Sequence, residues 1–244
     1  MTQIVPLNKE IHRTLKVDGR PSAAYGDSQR FVQVIVNEFP RLVVHYPILF
    51  SKDPQTGQFY CGAMLGFDEG ENLFLETWGE REFYRPLSLQ RIPFYAHGSE
   101  LAIDMEHPRV GAEGGKLLFT EFGEPTRYLQ SIMWAFQDLT PGKETTKVFI
   151  TRLLELKLIE PIEIEVEFDD GTTRNCVGLY TINQDVLSKL PDATVVELFR
   201  RGYMRLIDLM IASLKQVPLM ARKKNARLLE PTSGLAGARA QAFG

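Results

Sequence analysis

Short apolar runs, cut repeatedly by glycine, proline and aspartate, fill the first half of the chain and predict a β-rich region. The strand candidates are residues 31–36, 42–46, 60–65 and 73–75. Residues 53–57 form a turn between the second and third candidates, which predicts an antiparallel meander. Pro47 ends or edges its strand, because proline cannot donate a ladder hydrogen bond. A further hairpin is expected from residues 94–97 and 101–104 around residues 98–99.

The pattern becomes helical near Gly123. Pro125 suits the first turn of a helix, and apolar residues then recur at positions 128, 129, 132, 133 and 136. Residues 141–142, a Pro-Gly pair, are expected to stop this helix. A second helix is predicted over residues 145–156, with apolar side chains on one face.

A single β-hairpin interrupts the helical half. Apolar residues at 162, 164, 166 and 168 alternate with glutamates, which is the period of a half-buried strand. Asp170 and Gly171 supply the turn, and residues 176–182 return as the partner strand. Asp192 is the expected N-cap of a last long helical segment, which Gly202 kinks or divides before Pro218.

These elements predict an α+β fold, with an antiparallel β-rich N-terminal half packed with a C-terminal helical half that contains one β-hairpin. We expect one domain over residues 25–229, with a β-rich lobe at about 25–120 and a helix-rich lobe at about 121–229. Residues 1–24 form an N-terminal extension. Residues 230–244 have little to bury and are predicted to be a disordered tail.

Composition sets limits on partners and location. A net charge of −3 over 244 residues gives no global preference for nucleic acid. The two cysteines, Cys61 and Cys176, are too far apart to indicate a metal pair, and they fit a reduced cytosol, with one long-range disulfide as the alternative. No run is long and apolar enough for a transmembrane segment or a signal peptide, so a cytoplasmic location is expected.

His45 and Asp53 are the candidates for catalysis. The imidazole would act as acid or base beside Lys52, and the carboxylate would orient it. The favoured alternative is structural, with the histidine capping backbone groups and the aspartate starting a turn. The four histidines lack ligand spacing, so no metal is expected, and no glycine pattern indicates a cofactor.

Arg85 and Arg91 are the candidates for binding an anion, since a guanidinium matches carboxylate or phosphate. Tyr84, Phe94 and Lys52 would complete such a site. The alternative, weighed almost evenly, is that both arginines pair with the acidic strip at residues 68–71.

A basic segment at residues 200–227 carries eight lysines and arginines against one acid, Asp208. Such a cluster fits nucleic acid or an anionic membrane. The favoured interpretation is a helix whose cationic end complements its dipole, so no nucleic-acid partner is expected.

Several blocks of the sequence resemble one family of bacterial proteins, SapC. The blocks are residues 45–53, 57–60, 65–75, 84–86, 90–94, 123–126, 158–161 and 198–203. The resemblance covers roughly residues 25–225 and carries no reaction signature. It implies association with a paracrystalline surface layer, from which the family is named. It also implies companions such as an outer-membrane uptake receptor or a halogenase-like or cupin-like oxygenase protein.

The leading hypothesis is a non-catalytic accessory or binding protein that recognises a small anionic ligand or a protein partner, without a cofactor. The first alternative is an enzyme acting on a small acidic substrate through His45, with Arg85 and Arg91 binding the substrate. The second alternative is a structural protein of a surface layer.

Overall fold

A computed structural model describes residues 3–79, 83–98 and 100–229, and within these ranges the chain forms ten β-strands and seven α-helices. The strands are β1 (Ile4–Pro6), β2 (Lys16–Val17), β3 (Phe31–Gln33), β4 (Ile48–Lys52), β5 (Phe59–Met64), β6 (Phe94–His97), β7 (Glu100–Asp104), β8 (Lys116–Leu117), β9 (Ile159–Glu167) and β10 (Thr173–Ile182). The helices are α1 (Phe39–Leu42), α2 (Leu87–Gln90), α3 (Arg127–Glu155), α4 (Gln184–Leu187), α5 (Asp192–Arg200), α6 (Tyr203–Ser213) and α7 (Gln216–Leu229).

The main sheet has five antiparallel strands in the order β3-β5-β4-β10-β9. A three-stranded sheet, β1-β7-β6, and the short pair β2-β8 complete the β structure of the described residues. The hairpin β9-β10 from the second half of the chain therefore pairs with β4 from the first half. The predicted α+β class is confirmed, with antiparallel sheets first and helices after them. The division into two lobes stays a prediction.

Three apolar clusters form the core, and helix α3 contributes residues to all of them. The larger cluster surrounds the main sheet and includes Phe50 and Phe149, both fully buried. A smaller cluster beside the three-stranded sheet includes Phe94 and Ile132. With 29 residues, α3 is about 43 Å long at 1.5 Å per residue. Its start packs on the cluster beside the three-stranded sheet, its middle on a third cluster with Ile35 and Leu87, and its end on the large cluster.

Two predicted strands are wrong. Residues 42–46 lie in α1 and the turn after it, because Pro40 falls in the first turn of a helix, where it loses no hydrogen bond. Residues 73–75 form a turn, in which the Asn72 side chain accepts a hydrogen bond from the Phe74 amide. The strand next to Pro47 is β4, which follows the proline instead of ending at it. The strand expected over 31–36 ends at Gln33.

The helix boundaries also needed correction. Pro141 lies inside α3 and does not stop it, because packing on both sides outweighs a local cost of about 3 kcal/mol. Gly142 faces Ile35 so closely that a Cβ would lie 2.3 Å from Ile35 Cδ1. Pro191, not Asp192, is the N-cap of α5. Gly202, with a φ of 74°, divides α5 from α6 as expected. Residue 99, in the predicted β6-β7 hairpin, and the predicted tail 230–244 lie outside the described residues.

Candidate functional site

A groove of about 500 Å³ lies over one face of the main sheet, and we call it the sheet groove. Its floor consists of Phe31, Ser51, Tyr60, Met64 and Leu179. The strand register explains this set, because directly paired residues share a face: Ser51 pairs with Tyr60 and with Leu179, and Phe31 pairs with Met64. The edge strand β3 and the neighbouring strands β5, β4 and β10 therefore contribute to a single surface.

A β-bulge in β10 shapes one rim of the sheet groove. The register shifts between Cys176 and Leu179, so Val177 and Gly178 are accommodated as a bulge. Gly178 adopts a φ of 78°, which glycine reaches without steric cost. Its carbonyl accepts a hydrogen bond from Ser51 Oγ at 3.2 Å. The bulge leaves the Val177 side chain 62% exposed at the rim, which is the kind of redirection that bulges provide.

The floor is aromatic because Gly62 leaves room for a ring. A Cβ at Gly62 would lie 2.1 Å from Phe31 Cε1, so the Phe31 ring rests directly on the backbone of β5. The rings of Phe31 and Tyr60 stand 6.0 Å apart, tilted by 60°. Both residues are half-buried, so their exposed parts face the groove.

An ion pair between Arg30 and Glu69 crosses the wall of the sheet groove. Arg30 Nη2 lies 2.8 Å from Glu69 Oε1, and the side chains are 38% and 82% exposed. The Arg30 backbone is fixed, since its carbonyl accepts hydrogen bonds from the amides of Leu65 and Gly66 at 2.7 and 3.2 Å. The backbone that carries the Arg30 guanidinium is therefore rigid, whereas the Glu69 carboxylate is exposed to solvent.

Asp68 and Glu71, which lie in the same turn as Glu69, are held by other ion pairs. Asp68 pairs with Arg174 at 2.5 Å and also with Lys224, and these hydrogen bonds, that of Lys224 above all, lower the Asp68 pKa. Glu71 pairs with Lys224 at 3.0 Å and accepts a hydrogen bond from the Phe67 amide at 2.7 Å. These contacts hold the turn in place and leave Glu69 extended from it.

The described lining of the sheet groove contains no histidine. Its thiol belongs to Cys176, which is 4% exposed, and burial raises the pKa of that thiol, so it stays protonated near neutral pH. The Ser51 hydroxyl already donates its proton to a carbonyl. The fixed floor and the Arg30 to Glu69 pair can hold a ligand that has both an apolar part and a charged group.

The expected His45 and Asp53 pair is not formed. The five-residue strand β4, about 16 Å long at about 3.3 Å per residue, lies between them in the chain. The Asp53 carboxylate accepts hydrogen bonds from the amides of Gln55 and Thr56 at 2.9 and 2.8 Å, and the bond from Thr56 contributes most to lowering its pKa. Asp53 is therefore a turn residue, as the alternative interpretation of the sequence held.

His45 and Lys52 also lie apart. The His45 ring stands 5.0 Å from the Phe83 ring and lines a small pocket of about 250 Å³ that includes Leu219 and Lys223. Lys52 Nζ lies 4.8 Å from the centre of the Phe59 ring, at the other end of β4. No site is shared by these two predicted residues within the described ranges.

Arg85 belongs to a buried network with Asp27 and Arg109, which we call the Asp27 network. Arg85 is 11% exposed and its Nη2 lies 3.0 Å from Asp27 Oδ1, while Nη1 donates to the Gly19 carbonyl at 3.0 Å. Arg109 pairs with the other Asp27 oxygen at 2.5 Å, and both side chains are fully buried. Next to the network, Asp18 binds Arg20 at 2.7 Å, and this hydrogen bond holds the Asp18 pKa far below its usual range.

The other predicted ligand residues lie near Arg85 in sequence but make separate contacts. Arg91 donates to the Phe94 carbonyl at 2.9 Å, and its guanidinium lies 5.3 Å from the centre of the Tyr95 ring. Burial lowers the Arg91 pKa. Tyr84 donates to Glu38 at 3.1 Å, and Phe94 is fully buried in the small core cluster. The four residues His45, Asp53, Arg85 and Arg91 do not converge on one cleft among the described residues.

The acidic strip at 68–71 takes different partners from those expected. The alternative in which it pairs with Arg85 and Arg91 is wrong, because the strip binds Arg30, Arg174 and Lys224. Sequence reasoning missed Arg30 and Asp27 altogether. The available signal was position: Arg30 directly precedes a strand, and the strip follows the strand that pairs with it.

The basic segment contributes to the same loop. Lys224 is 8% exposed, and Arg227 donates to the Leu73 carbonyl at 3.0 Å. Arg201 pairs with Glu197 at 3.2 Å within the helical region. Several of these cations therefore bind internal acids and carbonyls. In the described part of the chain, no three His, Cys, Asp or Glu side chains are grouped as a metal site would require, and no helix is both long and apolar enough to cross a membrane.

Comparison with known proteins gives one match. The family model described as SapC matches residues 7–219, which is most of the chain. No curated protein and no solved structure gives a significant match.

Proposed function

We propose a non-catalytic binding function for this chain, which belongs to the SapC family, and we assign the binding site to the sheet groove. The observation that carries the proposal is the combination, in one groove of about 500 Å³, of an aromatic floor and an ion pair whose carboxylate is 82% exposed. Sites for small molecules are typically apolar concavities of this size with a few polar groups that orient the ligand.

A rigid frame supports binding. Strand pairing fixes the floor, and the buried contacts of Lys224 hold the turn that carries Glu69. A preformed site loses little conformational entropy when a ligand enters. The charged side chains of Arg30 and Glu69 are solvated and can adjust to a ligand.

A catalytic role has weaker support. An enzyme acting through His45 with Arg85 and Arg91 would need these side chains around one substrate, and the contacts described above hold them in separate places. That alternative stays a prediction, as does a structural role in a surface layer. The cytoplasmic location and the companionship of an uptake receptor or an oxygenase-like protein also remain predictions.

The test of the proposal is to block the groove. Val177→Trp places a large ring at the rim of the sheet groove, and Val196→Trp is the matched control on α5, where the valine is 45% exposed. Each protein is dialysed against a small-molecule extract of bacterial cells and then examined by native mass spectrometry. We expect the wild type and the control to retain a small molecule that Val177→Trp loses. Equal retention by all three proteins would refute the groove as the binding site.

A further inference from the structure

We propose that the ligand of the sheet groove is an aromatic carboxylate, with Arg30 binding its carboxylate and Phe31 and Tyr60 contacting its ring. This inference rests on the proposed function, since it names the ligand class of the same groove. It follows from the state of the ion pair, from the shape of the floor and from the charges around the rim.

The Arg30 to Glu69 pair is exchangeable. Exposed pairs of this kind contribute little stability, because water solvates both partners in the separated state. Glu69 is 82% exposed and extends from its turn, so it can swing into solvent while Asp68 and Glu71 stay bound to Lys224. A ligand carboxylate then takes its place on the guanidinium, which offers two parallel donors to a planar anion.

The floor selects a flat apolar body. The Phe31 ring is pressed against Gly62, and the Tyr60 ring stands beside it, tilted by 60°, so the groove is lined by a tilted aromatic pair. Aromatic rings favour such tilted contacts with a further ring. Met64 and Leu179 continue the apolar floor on either side.

The competing hypothesis is a ligand of the opposite charge. A cationic aromatic ligand would use Glu69 as its anchor and would be repelled by Arg30. We favour the anion because the Arg30 backbone is fixed by hydrogen bonds and its side chain is 38% exposed. The Glu69 side chain is 82% exposed, so it is the less firmly placed of the two charged groups. The two classes predict opposite effects for the same two substitutions, which makes them separable.

The experiment is a calorimetric titration with 2-naphthoate, 2-naphthamide, acetate and 2-naphthylmethylamine. We expect 2-naphthoate to bind, and we expect the uncharged amide and the ringless acetate each to bind at least about tenfold more weakly, as loss of a charge-assisted hydrogen bond or of ring contact implies. Arg30→Gln should weaken 2-naphthoate at least about tenfold. Glu69→Gln should strengthen it by about two- to fivefold, because the competing carboxylate is gone.

The controls separate failure of the ligand class from failure of the function. Arg205→Gln, on the exposed side of α6, is the matched charge control and should leave binding unchanged. Tighter binding of the amine, lost in Glu69→Gln, would overturn the carboxylate assignment. So would absence of any 2-naphthoate binding in the millimolar range while Val177→Trp still abolishes retention of the extracted molecule. If Val177→Trp retains the extracted molecule as well as the wild type does, the proposed function itself is overturned.

Discussion

The Asp27 network and the sheet groove each contain an arginine bound to a carboxylate, but they differ in their access to water. Asp27 and Arg109 are fully buried, whereas Arg30 and Glu69 are 38% and 82% exposed. Removal of one partner from a buried pair leaves an uncompensated charge and costs about 3–5 kcal/mol. An exposed pair contributes about 0–1 kcal/mol. The buried arginines therefore hold the fold together, and the exposed one is available to a ligand.

The largest effect is expected from Asp27→Asn. The change leaves Arg85 and Arg109 next to each other without a counter-charge, and we expect the free energy of unfolding to fall by about 3–5 kcal/mol. Urea unfolding measures it, and Asp208→Asn on the exposed side of α6 is the matched control. A loss below about 1 kcal/mol would mean that the Asp27 network contributes no more stability than the exposed pair of the sheet groove.

A smaller loss is expected from Lys224→Met. The substitution keeps the aliphatic volume against Phe168 but removes the charge between Asp68 and Glu71. Because Asp68 retains Arg174, we expect the free energy of unfolding to fall by about 1–3 kcal/mol. Lys215→Met, at an exposed position, serves as the control in the same urea experiment. No difference between the two variants would mean that the turn below Glu69 is not held by this lysine.

The pH dependence of stability should come partly from Asp18. Its pKa is lowered in the folded state, mainly by the hydrogen bond from Arg20, so the folded protein favours the deprotonated form. That stabilisation is present above the ordinary pKa of an aspartate, about 3.9, and is lost as the pH falls below it. The effect is limited because the Arg20 side chain is 68% exposed and screened by water.

Asp18→Asn tests this contribution. The variant should lose stability less steeply than the wild type when unfolding is followed from about pH 6 to about pH 2, on either side of the ordinary aspartate pKa. Parallel profiles for the two proteins would show that the Asp18 to Arg20 contact adds nothing to acid sensitivity.

The smallest effect is expected from Glu69→Gln. Since the carboxylate is 82% exposed, its loss should change the free energy of unfolding by less than about 1 kcal/mol. Thermal or urea unfolding gives the value. A loss above about 2 kcal/mol would mean that the pair is structural, and an exchange with a ligand carboxylate would then be too costly.

The sequence predicted the fold best where local signals and tertiary packing agree. The hairpin β9-β10 follows from alternation and from the Asp170 and Gly171 turn, and both requirements are met inside the same segment. Prediction failed at Pro141, where the signal for a helix stop is local but the stabilising contacts of α3 are distant. It also failed at residues 42–46, whose apolar run fits a strand or a buried turn equally well.

The candidate site was less predictable because ion-pair partners are distant in sequence. One interpretation of the sequence paired the acidic strip with Arg85 and Arg91, whereas the structure pairs it with Arg30, Arg174 and Lys224. Local sequence does not show that the Arg85 side chain is largely buried and the Arg30 side chain partly exposed. Burial separates them, and burial depends on packing with Asp27, 58 residues away from Arg85 in the chain.

The most direct test of the central claim is to map the backbone amide shifts of the protein during titration with 2-naphthoate. If the exposed arginine binds the ligand, the largest shifts will fall on Phe31, Tyr60, Gly66 and Leu179 around the sheet groove, and Arg30→Gln will need a ligand concentration at least about tenfold higher to produce them. Shifts centred instead on Arg91 and Tyr95, or on the Asp27 network, would place the ligand with the arginines that the sequence suggested and would contradict the account.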